Sequence, residues 1–238
     1  MHSEEFAEAQ QIVARHYRRT GGRLLDLGGG NGMASLAWRA LGFRPVLLEP
    51  DPDPVVGYGA LRPDHHLPVV HAFGKRAPFP EAAFDLVYAR QVLHHIPDLP
   101  ALMREIFRLL RPGGLLIATR EHVISRKADL QAFYDPHPIH KYTQGENAYL
   151  LQEYLDSMRA AGLRVCEVLG YAHSVINYAP ISQDDYLSNL QRKLGRILTP
   201  ALARWLMSKP FLLRRVQDVL VWRDKRPGRM YSFVATRS

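Results

Sequence analysis

Asp26-Leu27-Gly28-Gly29-Gly30-Asn31-Gly32 closes a short apolar run, and the chemistry it offers belongs mostly to the backbone. Glycines permit positive φ angles and remove the β-carbons that would hold a ligand away from the turn. An acid two residues before the first glycine suits a ligand with an ammonium group, which a carboxylate can pair, and disfavours a phosphate cradle. The dinucleotide pattern asks for Gly or Ala three residues after its second glycine, but Gly30 leads to Met33 and Gly32 to Ser35. Glu49 stands 21 positions after Gly28, where an acidic side chain can accept hydrogen bonds from both hydroxyls of a ribose. The pair of features implies a cofactor that carries adenosine.

Further polar residues fall on the same edge. Arg90-Gln91 follows an apolar run at 84–88, at the carboxyl edge where open α/β sheets bind ligands. His94 and His95 come next, and their expected role is structural, with one ring bonded to a loop carbonyl. The stretch 120–144 reads as a loop holding Glu121, His122, His137, His140 and Tyr142. A histidine there has the pKa to take a proton from a hydroxyl acceptor, so His137, His140 and Tyr142 are the candidate catalytic residues. No metal site is expected, because His137 and His140 lack a clear third ligand.

The elements that must position these groups follow from periodicity. An amphipathic helix is expected over 4–19, then strands over 23–27, 45–48, 69–73, 84–88, 115–119, 164–169 and 230–235. Helices are expected over 33–41, after the N-cap Asp98, and over 147–161. Short apolar strands alternating with helices predict an α/β fold, a Rossmann-like, seven-stranded and mostly parallel sheet covered on both faces. The chain reads as a single domain over 1–238. Within it, 174–228 reads as a basic helical insertion or cap before the last strand, with helices over 183–198 and 201–222.

Four motifs occur in order: Pro78-Phe79-Pro80-Glu81, Phe84-Asp85-Leu86-Val87, Val92-Leu93-His94-His95-Ile96 and Leu110-Arg111-Pro112-Gly113-Gly114. With the glycine turn and Glu49, residues 24–170 resemble the class I S-adenosylmethionine-dependent methyltransferases of the small-molecule type. The resemblance implies that Asp26, Gly28, Gly30 and Gly32 meet the methionine part of S-adenosylmethionine and that Glu49 holds its ribose. It also places Arg90 and Gln91 near the methionine moiety or the methyl acceptor. Where many relatives carry an acid for the adenine amino group, this sequence has Phe73. The expectation is that Phe73 packs on the purine while the backbone of Gly74 or Lys75 makes the polar contact. Methyl transfer by direct displacement to a small-molecule, sugar or lipid-type acceptor is thereby implied, with S-adenosylhomocysteine as product. The alternatives are a catalytically silent binding or scaffold protein that kept the fold and, with less support, a nucleic-acid methyltransferase. Tyr88-Ala89-Arg90-Gln91 does not resemble the proline-rich motif of the latter.

Charge is unevenly placed. The formal net charge is +8, and residues 174–238 hold 12 Lys and Arg against 4 Asp and Glu, so the whole excess lies there. Such a surface attracts anions, whether an anionic acceptor held by Arg192, Lys193, Arg196, Arg214 and Arg215 or a membrane surface touched peripherally through Trp205 and Phe211. No apolar run reaches the roughly 18 residues of a spanning helix, and the start lacks a signal-peptide pattern, so a cytoplasmic location is expected. The single cysteine, Cys166, excludes an intrachain disulfide and is expected to be buried.

Overall fold

The computed structural model describes residues 3–135 and 147–238. Helix α1 (Glu4–His16) starts where the Ser3 side chain accepts from the Phe6 amide at 3.2 Å, and it buries Ala9, Ile12 and Val13. Strand β1 (Gly22–Leu27), helix α2 (Met33–Ala40), β2 (Phe43–Leu48) and β3 (Val69–Val70) follow. Next come β4 (Phe84–Arg90), α3 (Leu99–Leu109), β5 (Leu110–Ile124) and α4 (Leu130–Tyr134). After the undescribed residues come β6 (Tyr149–Leu150), α5 (Leu151–Ala160) and β7 (Leu163–Leu169). Four helices, α6 (Val175–Tyr178), α7 (Gln183–Ile197), α8 (Pro200–Met207) and α9 (Pro210–Arg223), lead to β8 (Arg229–Arg237).

The sheet runs β3-β2-β1-β4-β5-β8-β7, with β6 added beside β5. All pairs are parallel except those made by β8, which is antiparallel to β5 and β7. Because β2 and β4 flank β1, the chain leaves β1 and β4 in opposite directions and opens a crevice at their carboxyl ends. Alternation along the strands builds two cores. Leu25, Val87 and Leu116 face the layer containing Leu102, Ile106 and Tyr154, whereas their neighbours Leu24, Leu86 and Leu115 face Ile12, Val13 and Trp38. Both faces are thus covered, as continuous apolar strands require.

Several expected boundaries move, some through pairings that local pattern does not contain. The sheet has eight strands rather than seven, because Tyr149 and Leu150 pair with Val123 and Ile124. The helix expected from 147 therefore begins at Leu151. Strand β3 ends at Val70 rather than at 73. Strand β5 extends well past 119, since β8 pairs along it as far as Val123 and Arg229, with a register shift between Ala118 and Glu121. Glu121 and His122 accordingly sit in a strand, not a loop. The helical stretch expected over 201–222, with Pro210 as punctuation, is two helices that divide there, because Pro210 can begin a helix but cannot continue one. Cys166 is half-buried rather than buried.

Candidate functional site

The turn between β1 and α2 carries Gly28, Gly30 and Gly32 at φ of +62°, +53° and +73°. At Gly30 a β-carbon would lie 2.8 Å from the Val56 carbonyl oxygen, and at Gly28 one would lie 2.8 Å from the Val92 side chain. Neither position admits a side chain, because neighbouring protein atoms already occupy that space.

Glu49, immediately after β2, is only 7% exposed. Its Oε2 accepts from the Gly30 amide at 2.8 Å and its Oε1 from the Asp51 amide at 2.9 Å. The carboxylate is thereby fixed against the glycine turn, and each oxygen keeps a second lone pair for a ligand hydroxyl. These residues fit an adenosyl cofactor: a glycine turn, and beside it a preoriented acceptor of two hydrogen bonds.

Asp26 is 1% exposed and accepts from Ser35 Oγ at 2.6 Å, beneath Gly29, whose β-carbon would lie 2.5 Å from its Cγ. A carboxylate under the turn supports that turn. Burial pushes its pKa up to about 6, against the lowering effect of the Ser35 bond. A carboxyl whose folded pKa is raised contributes stability below its unfolded value of 3.8 and loses it as the pH rises through about 6. The stability of the wild type relative to Asp26→Asn is expected to fall by about 3 kcal/mol between pH 4 and 7. Urea midpoints across that range check this, and a constant difference would contradict it.

Gly74 packs against Leu27 at the end of β1, where a β-carbon would come within 2.8 Å of the Leu27 side chain. Phe73, just before it, is 73% exposed at the rim, with its ring facing solvent rather than core.

The structure draws Arg90 toward α1. Its Nε donates to Glu5 Oε1 at 2.6 Å, its Nη2 to Glu5 Oε2 at 3.1 Å and its Nη1 to Gln91 Oε1 at 3.1 Å. The bonds it donates to Glu5, opposed by desolvation, hold the guanidinium above its ordinary pKa. Gln91 has φ of +57°, and its amide donates to the Thr119 carbonyl at 2.9 Å. Arg90 and Arg120 both line a cavity of about 400 Å³, together with Glu4, Glu5, Pro180 and Ile181. Arg120, at φ of +61°, donates through Nη1 to the carbonyls of Ile176 at 2.7 Å and Ala179 at 3.1 Å. Its Nε is buried without a bonded partner, and desolvation holds its pKa below the usual arginine range.

Glu121 and His94 form a buried pair at 2.7 Å. Glu121 also accepts from the amides of Val92 at 3.1 Å and His94 at 3.0 Å. Burial would raise this carboxyl, but His94 and the Val92 amide outweigh it and hold the pKa below the ordinary value. His94 of this histidine pair bonds a carboxylate. The ring of His122 lies 4.6 Å from that of His94, and its Nδ1 is 2.8 Å from the Gly228 carbonyl. His137, His140 and Tyr142 lie outside the described residues. Among the described residues no group of three or more His, Cys, Asp or Glu could hold a metal ion.

The structure therefore brings the glycine turn and Glu49 together and places Arg90 on the cavity toward α1. Sequence reasoning missed Glu5 and Arg120. Glu5 is hidden within the helical spacing of α1, whereas Arg120 had a usable signal as a cation at the carboxyl end of a strand.

Comparisons with known proteins agree with this geometry. Residues 1–168 match the family model described as a methyltransferase domain. The 27-O-demethylrifamycin SV methyltransferase of Amycolatopsis mediterranei is 32% identical over 151 residues, 61% of this chain and 55% of that protein. The chain thus spans about half the length of that curated relative. Among solved structures, geranyl diphosphate C-methyltransferase from Streptomyces coelicolor A3(2), in complex with S-adenosyl-L-homocysteine, is similar with a TM-score of 0.63 at 17% identity, covering 98% of this chain and 79% of that one. The cyclase SpnF is similar with a TM-score of 0.59 at 21% identity, covering 97% and 80%. With the family model spanning most of the chain and the glycine turn and Glu49 in position, this protein belongs to the methyltransferase-domain family, the class I fold whose cofactor is S-adenosylmethionine.

Proposed function

We propose that this chain transfers a methyl group from S-adenosylmethionine to a small-molecule, sugar or lipid-type acceptor. The observation that carries the reading is Glu49, held beside the glycine turn by the amides of Gly30 and Asp51. Glu49 binds the ribose hydroxyls, Gly28 and Gly30 let the chain approach the methionyl part, and Phe73 covers the purine from the rim. When bound, the cofactor supplies an electrophilic methyl on a sulfonium sulfur.

The acceptor site in this reading is the cavity lined by Arg90, at the carboxyl end of β4, and Arg120, within β5. Arg120 anchors an anionic acceptor there, since its guanidinium is partly desolvated and bonded only to carbonyls. Glu5 holds Arg90 in place, and orientation of the two reactants does most of the catalytic work. His140, with His137 and Tyr142 beside it in sequence, takes the proton from a hydroxyl acceptor.

Calorimetry with S-adenosylhomocysteine and transfer of labelled methyl into metabolite and lipid extracts test this. The expected result is micromolar binding and a labelled product. His140→Ala is expected to lower turnover about 100-fold with cofactor affinity unchanged, and equal loss of both would remove the assigned role. The exposed Phe73 favours one second reading, a protein that keeps the fold without methyl transfer. Cofactor binding with no labelled product from any extract would decide for it.

A further inference from the structure

Helix α9 sorts its apolar residues onto two faces. Leu213, Val216 and Leu220, at helical spacing, pack into the cluster around Tyr186 and Leu190 of α7. Phe211, Val219 and Trp222 recur on the other side and are 67%, 53% and 72% exposed. The α7–α8 corner repeats the arrangement, with Ile197 81% and Trp205 54% exposed. Scattered exposed apolar residues are ordinary, but two tryptophans and a phenylalanine on successive short helices need a partner.

The charge around them says which partner. Residues 192–223 hold eight Lys and Arg and one acid, Asp218. That acid lies 3.1 Å from His173 Nε2 and 3.4 Å from Arg214 Nε. The cations interleave with the aromatics: the Arg215 guanidinium lies 5.1 Å from the Phe211 ring centroid, and the Lys225 ammonium 6.0 Å from that of Trp222. Among the described residues no helix is long and apolar enough to cross a membrane, so contact would be made at a surface.

We propose that the α7–α9 face docks on an anionic membrane surface, with Trp205, Phe211 and Trp222 entering the headgroup region and the surrounding arginines pairing with lipid phosphates. Amphipathic rings interleaved with basic side chains suit that boundary, where one end is apolar and the other wet. Ile197 and Val219 gain nothing against a nucleic-acid backbone but are buried at an acyl boundary. A second copy would set eight cations against eight, which repel.

The test mixes the full chain with phosphatidylcholine vesicles, with and without phosphatidylglycerol, and reads flotation and tryptophan emission. Of the three tryptophans, Trp38 is 1% exposed, so a blue shift reports Trp205 and Trp222. Flotation is expected with the anionic vesicles only and is expected to weaken at high salt. Phe211→Ser with Trp222→Ser is expected to cut partition at least tenfold, from the burial lost. Arg196→Glu with Arg215→Glu is expected to do the same, at about fivefold or more per basic residue removed. Unchanged calorimetric binding of S-adenosylhomocysteine, or an unchanged melting temperature, shows that the variants are folded. No flotation with anionic vesicles would overturn the proposal, as would partition indifferent to both double variants. Tighter binding to duplex DNA than to vesicles, or lipid-free dimerisation that produces the same blue shift, would also overturn it in favour of those partners.

Discussion

Glu49→Ala is expected to weaken S-adenosylhomocysteine binding about 100-fold or more, the largest effect on the cofactor of any single change in the crevice. Two losses combine. The ribose hydroxyls lose an ionised acceptor, and bonds to a charged group are worth about 1.5–3 kcal/mol each. The amides of Gly30 and Asp51, which donate to this carboxylate at 2.8 and 2.9 Å, are released, so the turn itself loses its brace. Glu49→Gln separates the two, because its single carbonyl oxygen keeps one acceptor while the amide group opposes a backbone donor. Its affinity is expected to lie between wild type and Glu49→Ala. Calorimetry measures both, and an affinity within threefold of wild type for the alanine variant would take the ribose role from this residue.

Glu121→Ala is expected to cost about 3–5 kcal/mol of stability, because each buried donor left without its carboxylate acceptor costs about 1–3 kcal/mol. Three donors lose their acceptor together: His94 Nδ1 and the amides of Val92 and His94. For a chain of this size the melting temperature is expected to fall by on the order of 10 °C. The segment released is the one whose Val92 side chain packs against Gly28, so cofactor affinity is expected to fall as well. Because the Glu121 pKa is lowered in the fold, its contribution is fully present above the unfolded value of 4.5 and fades as the pH falls through the lower folded value. Thermal melts at neutral and acidic pH check both parts. An alanine variant melting within 2 °C of wild type at neutral pH would show that the pair carries no net stability.

The two variants probe different kinds of knowledge about this chain. The glycine turn, Glu49 after the second strand and the Asp98 cap of α3 could be read from sequence, because each depends on neighbours a few residues away. The fold class could be read the same way, since Leu24-Leu25, Leu86-Val87 and Leu115-Leu116 are apolar on both strand faces and only a doubly covered sheet buries both. The small-molecule motifs supported the same conclusion, and the family model agrees over residues 1–168.

Tertiary structure decided the rest, wherever partners stand far apart in the chain. Strand β5 runs on to Ile124 because β8, more than a hundred residues later, pairs with it, and this turns Glu121 inward beneath His94. Arg90 points at α1 because Glu5, 85 residues earlier, reaches it first. Asp26 reads as an acid suited to a ligand's ammonium group, and the glycines that make the turn tight seat it under the backbone, where desolvation governs its charge. Local sequence determined which backbone shapes and side-chain types were available to this protein. Which of them meet was settled by strand pairing and helix packing, since a side chain's partner depends on the whole path of the chain and its propensity only on its neighbours.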